Sequence, residues 1–85
     1  MNSRDKYHFY KKELSKLLKS FEIVSFHKDD DVIERVINLL NEGISIDKIK
    51  GIVLTTEVVK YGGDISDDEV EEIYKRIIEW WNEKQ

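Results

Sequence analysis

The chain reads as an all-α protein, a small bundle of three to four helices, on three observations. Apolar residues recur at three- and four-residue intervals through several long stretches, which places them on one face of a helix. Proline is absent throughout, so nothing obliges those stretches to break. Between them stand helix-start spacings and glycines of the kind that punctuate helices. No repeat, low-complexity tract or linker divides the sequence, and residues 1–85 are read as a single helical domain. At this length one core is barely sufficient, so the helices must pack well or a second chain must share the burial.

The first helix is expected from about Arg4 to Phe21, with Tyr7, Tyr10, Leu14, Leu17, Leu18 and Phe21 as a narrow apolar stripe and Asn2 or Ser3 as its cap. Residues 21–26 contain Ile23 and Val24, but a lone strand has no partner to pair with, so they are read as the helix end and a buried connection. Asp31 and Glu34 have capping-box spacing, with Asp29 and Asp30 suited to the positive end of a second helix. Val32, Ile33, Val36, Ile37, Leu39 and Leu40 give that helix a wide apolar arc. Gly43 is placed to end it in the left-handed conformation, Ile44 to close the cap, and Ser45 to start the next helix.

A third helix over residues 46–61 is expected to hold Ile49, Ile52, Val53, Leu54, Val58 and Val59. Gly51 and the β-branched residues about Thr55 and Thr56 weaken it and predict a bend or break near Gly51. Gly62 and Gly63 then interrupt the chain. Ser66 and Glu69 form a capping box, and Ile65 with Val70 a hydrophobic staple, for a fourth helix whose stripe is Val70, Ile73, Tyr74, Ile77 and Trp81.

Charge is divided unevenly. Residues 1–20 carry six cations against Asp5 and Glu13, a balance of +4, and residues 21–85 carry −8, which together give the net −4. With a pI of about 5.2 the molecule as a whole repels nucleic acid and attracts basic protein surfaces. The absence of cysteine excludes disulfides, thiol nucleophiles and thiolate metal sites. No apolar run reaches membrane-span length, and residues 1–10 lack the apolar core of a secretion signal, so no membrane association and a cytoplasmic setting are expected.

The constellations for chemistry are incomplete. Asp29, Asp30 and Asp31 start like a calcium loop, but Glu34 stands where the turn glycine belongs. Asp64, Ser66 and Asp68 fail likewise, with Glu69 at the glycine position and Lys75 in place of the bidentate glutamate. His8 is read as a surface residue and His27 as a loop residue, neither with a ligand partner at metal spacing. No glycine-rich elbow or phosphate loop positions a nucleophile. The expectation is a protein that is not an enzyme and takes no cofactor and no metal.

Two resemblances bear on function. Residues 42–49 resemble the first-helix end, turn and second-helix start of helix-turn-helix proteins. That family places a small residue where this chain has Lys50, and its recognition segment would here be residues 55–60, with one cation and one carboxylate. Residues 10–22, Asp30-Asp31-Val32-Ile33, residues 56–61 and Ile77-Ile78-Glu79-Trp80 resemble, in order, the four helices of colicin-type nuclease immunity proteins. That resemblance implies a small acidic four-helix inhibitor of a basic nuclease, with Asp30, Asp31, Glu34 and Asn38 setting partner choice and Tyr61 as an anchor. The family's Tyr-Tyr-Pro motif is reduced here to Lys60-Tyr61-Gly62.

The expected function is therefore a small acidic protein-binding module, an inhibitor or immunity-type protein whose partner has a basic, nucleic-acid-handling surface. Excess acid on the fourth helix adds Asp68 and Glu72 to the expected contact residues. Trp80, read with Phe9 as an aromatic that the core does not need, is expected as an exposed anchor. The alternative is a dimeric helix-turn-helix regulator that binds DNA, and a homodimer with Trp80 and Trp81 at its axis is a third reading.

Overall fold

A computed structural model describes residues 3–21, 26–43 and 46–84, with only the backbone at Ser3, Arg4 and Ile46. The expectations for Asn2, the connection through residues 22–25, Ile44 and Ser45 lie outside the described residues. Those described form helices and turns without a strand: α1 (Ser3–Lys19), α2 (Asp30–Glu42), α3 (Ile46–Thr55) running directly into a π-helical segment (Thr56–Lys60), and α4 (Asp67–Lys84). The protein is all-α. No helix among the described residues is long and apolar enough to cross a membrane.

On α1 the expected stripe narrows to two fully buried residues, Leu14 and Leu18, flanked by half-buried Tyr7, Tyr10, Leu17 and Phe21. The helix closes with tightened bonds from the Ser20 and Phe21 amides to the Leu17 and Leu18 carbonyls, the usual way a last turn satisfies its carbonyls. The Ser15 hydroxyl then donates 2.5 Å to the carbonyl of His27, which holds the loop where Phe26 is fully buried.

The start of α2 differs from the expectation. Asp29, not Asp31, is the N-cap: its backbone is extended and its carboxylate accepts from the Val32 amide at 3.3 Å. Asp30 and Asp31 thereby occupy the first turn, where the helix dipole favours negative charge. Gly43 ends the helix as expected, at φ 73°, with its amide donating to the carbonyls of Leu39 and Leu40.

Helix three does not break at Gly51. The change comes five residues later, where the ladder widens and the Tyr61 amide reaches the Thr56 carbonyl at 3.2 Å. A π turn accommodates one extra residue, so side chains beyond it are rotated from where a 3.6-residue period would put them. Thr56 and Glu57 continue the buried face of Ile49 and Val53 at the ordinary helical spacing and are buried, and Val58 and Val59 are exposed. The chain leaves through Gly62 at φ 67° and returns over the segment, with the Gly63 amide donating 2.8 Å to the Glu57 carbonyl.

Helix α4 starts as its sequence requires. Ser66 Oγ accepts from the Glu69 amide at 3.2 Å and the Glu69 carboxylate accepts from the Ser66 amide at 2.9 Å, with Ile65 and Val70 buried on either side. Each helix packs against its chain neighbours, and α4 returns to α1. Contacts fix the directions: Asp29 at the start of α2 meets Lys60 and Tyr61 at the end of helix three, and Glu13 in α1 meets Trp80 and Lys84 near the end of α4. The result is an up-down-up-down bundle around Leu14, Leu18, Ile33, Val36, Ile49, Val53, Ile73 and Ile77.

The approach of Gly63 to Glu57 is close enough to test. A Cβ on Gly63 would lie 2.5 Å from Glu57 Oε1 and 3.1 Å from its Cδ, and the buried glutamate has little room to yield. Gly63→Ala should cost about 1–3 kcal/mol, and much less in a Glu57→Ala background, in a double-mutant cycle read by urea denaturation. Additive costs would show that the two residues do not compete for space.

Candidate partner-binding surface

Among the described residues the large apolar side chains that remain exposed are Phe9, Leu54, Val58, Val59 and Tyr61. All but Phe9 fall within the last two turns of helix three and its exit. The cause is local: with Ile49, Val53, Thr56 and Glu57 on the buried face, Leu54 and Val58 fall on the opposite one, and Val59 is 76% exposed. A contiguous apolar ridge results on the outside of the bundle, the kind of feature that marks an interaction surface.

One carboxylate fixes the end of this ridge. Asp29 Oδ2 accepts from the Tyr61 hydroxyl at 2.6 Å and from the Lys60 ammonium, while Oδ1 accepts from the Val32 amide. The Lys60 bond first, then the Tyr61 and Val32 bonds, hold the Asp29 carboxyl at about 2, against the opposing effect of burial. The same carboxylate raises the Lys60 ammonium and the Tyr61 phenol above their ordinary ranges. Tyr61 is thereby seated at the N-terminus of α2, with its ring 41% exposed.

This arrangement joins part of the expected site. Asp30, Asp31, Glu34 and Asn38 are all exposed along α2, and Asp31 is near enough to Lys60 to raise its pKa. Asp30 also faces α1, 3.8 Å from Lys11. Tyr7 of α1 is pushed up to about 12, by burial first and then by the neighbouring carboxylates of Glu34 and Asp30. Asp68 and Glu72 are exposed on α4, whose packing neighbours are α1 and α3, so they form no single patch with the α2 residues.

Trp80 is corrected outright: it is buried, not an exposed anchor, and Trp81 is the half-buried one. The two differ by one position at the far end of a long stripe, where a 3.6-residue period leaves the choice open. Glu13 decides it by accepting from the Trp80 indole N–H at 3.3 Å and from Lys84. The Tyr10 ring meets both indoles edge-on, at 5.9 and 5.3 Å. Phe9 is exposed as expected. Leu54, Val58 and Val59 are the residues that sequence reading missed; the helical spacing that sets Leu54 and Val58 off the face of Ile49 and Val53 was the signal for them.

The charge division is partly absorbed within the molecule, through Lys11 with Asp30, while Lys12, Lys16 and Lys19 remain exposed. Of the helix-turn-helix expectation, the turn at Ile44 and Ser45 lies outside the described residues. Within its reading segment Thr56 and Glu57 are buried and Lys60 is engaged by Asp29. Separately, an open groove of about 560 Å³ runs between α2 and α3.

The Asp29 cluster has a defined acid dependence. Its carboxyl falls from 3.8 to about 2 on folding, so its charge stabilises the fold fully above pH about 4, and that contribution is lost as pH drops from about 4 to about 2. Asp29→Asn keeps a capping side chain and loses the charge. Its urea midpoint should lie below that of the wild type at pH 7, with the gap closing between pH 4 and pH 2; a gap independent of pH would mean the charge contributes nothing. No family model, curated protein or solved structure matches this chain.

Proposed function

We propose that the protein is a non-enzymatic, acidic protein-binding module of the cytoplasm, of the inhibitor or immunity type, that takes a partner with a basic surface. The observation that carries this reading is the exposed ridge of Leu54, Val58, Val59 and Tyr61, held by Asp29 beside the acidic first turn of α2. Apolar anchors bordered by carboxylates fit a partner that offers an apolar centre and a basic rim. Tyr61 and α2, the two parts of the surface that the immunity-protein resemblance implies, are neighbours in space although far apart in the chain. The buried core leaves no other cluster of apolar side chains of this extent on the outside of the described residues.

Affinity purification from the native host, at low and at moderate salt, tests the proposal with wild type beside Val58→Asp. Val58 is exposed, so the substitution leaves the core untouched. A basic protein retained by the wild type, lost with Val58→Asp and eluted more readily at higher salt is the expected result, and the recovered protein's own activity should fall on binding. Recovery of the same proteins by both forms, or of none, overturns the proposal. Specific retention of genomic DNA near physiological salt would replace it with the regulator.

A further inference from the structure

The groove between α2 and α3 is built differently from the ridge beside it. Arg35, Asn38, Leu39 and Glu42 line one wall and Lys48, Gly51, Ile52 and Thr55 the other, each a set at i, i+3, i+4 and i+7, so each is one continuous helical face. The helices run antiparallel, joined through Gly43 at one end and clamped by Asp29 with Lys60 and Tyr61 at the other. That register sets Glu42 opposite Lys48 at one end and Arg35 opposite Thr55 at the other, with Leu39 and Ile52 between.

The groove is therefore polarised. Glu42 and Lys48, of opposite charge, line the Gly43 end. At the opposite end the Arg35 guanidinium has no carboxylate within 4 Å among the described residues, and Asp31, one turn earlier, is not part of the lining. A guanidinium and a hydroxyl at one end of an open groove whose apolar middle is Leu39 and Ile52 are donors suited to a carboxylate. The volume, about 560 Å³, falls in the range of small-molecule sites, roughly 300–1,000 Å³.

Gly51 lies in the middle of the groove. A glycine inside a helix costs about 1 kcal/mol relative to alanine, and this one has no left-handed backbone to justify it. A Cβ built there meets nothing within 4 Å. The fold has no use for the missing side chain, whereas the groove does: any larger residue at position 51 would fill its middle.

We infer that this groove binds a small amphipathic carboxylate, a medium-chain acid or one of similar shape, with its head at Arg35 and Thr55 and its apolar body over Gly51 between Leu39 and Ile52. The site is separate from the ridge and stands whether or not that surface has a partner.

Chemical-shift mapping on the isotope-labelled chain, titrated with octanoate, 1-octanol and acetate in turn, tests it. Octanoate should shift the amides of Leu39, Gly51 and Ile52, and octanol and acetate should each bind about tenfold more weakly, as expected for loss of one charge-assisted bond or of the apolar body. Gly51→Leu should abolish octanoate binding without lowering the melting temperature. Arg35→Gln should weaken octanoate about tenfold and leave octanol unchanged. Shifts centred elsewhere, octanol binding as tightly as octanoate, no saturable shift at millimolar octanoate, or unaltered binding by Gly51→Leu would each overturn the inference.

Discussion

The carboxylate of Asp29 is the constraint on which the rest of the arrangement depends. Its side chain is only 7% exposed, yet it caps α2 through Val32 and receives both Lys60 and Tyr61 from the end of helix three. A carboxylate removed from water is stabilised only where hydrogen bonds and a countercharge replace the lost hydration. Asp29 has three donors, two of them delivered by the segment that ends helix three. The same contact that makes the burial tolerable thus fixes where α2 begins, where helix three ends and where the Tyr61 ring stands.

Helix three widens into a π turn just where it meets this contact, between Val53 in the core and Lys60 and Tyr61 at Asp29. The distribution of side chains there is unusual. Glu57 goes inside, packed under Gly63, while two valines go outside. Local preference and final position disagree at three of five consecutive residues, in a molecule whose other elements follow their sequence closely. Such disagreement concentrates where a surface is used for something besides folding.

What could be read from the sequence separates cleanly by range. The capping box at Ser66, the staple of Ile65 and Val70, and the Gly43 terminus are decided by residues within five positions of one another, and each was legible. The N-cap of α2 was not, because the competition between Asp29 and Asp31 is settled by groups 31 and 32 residues away. Nor was the inward choice of Trp80 over Trp81, settled by Glu13 at a separation of 67. For the surface, the exposed carboxylates of α2 and Tyr61 were legible as chemistry but not as neighbours, and Leu54, Val58 and Val59 went unseparated from the core residues although the spacing of Ile49, Val53 and Glu57 puts Leu54 and Val58 off the buried face.

The division of charge acquires a physical meaning on this framework. Ion pairs such as Lys11 with Asp30 are partly exposed, and pairs of that kind contribute little to stability, so they do not account for a balance of −8 over residues 21–85. Asp29 is neutralised by Lys60, with Asp31 near the same cation, while Asp30 and Glu34 face α1 at Lys11 and Tyr7. An apolar ridge alone would bind indiscriminately and slowly. On the proposed function, carboxylates of α2 would repel other acidic chains, draw basic ones, and raise the rate of productive encounter without adding to the apolar contact that sets residence time. Helix three then presents two unlike faces, an outer one that exposes Leu54, Val58 and Val59 and another that lines the groove across from Arg35. Both depend on the antiparallel register of α2 and helix three, and Asp29 holds that register.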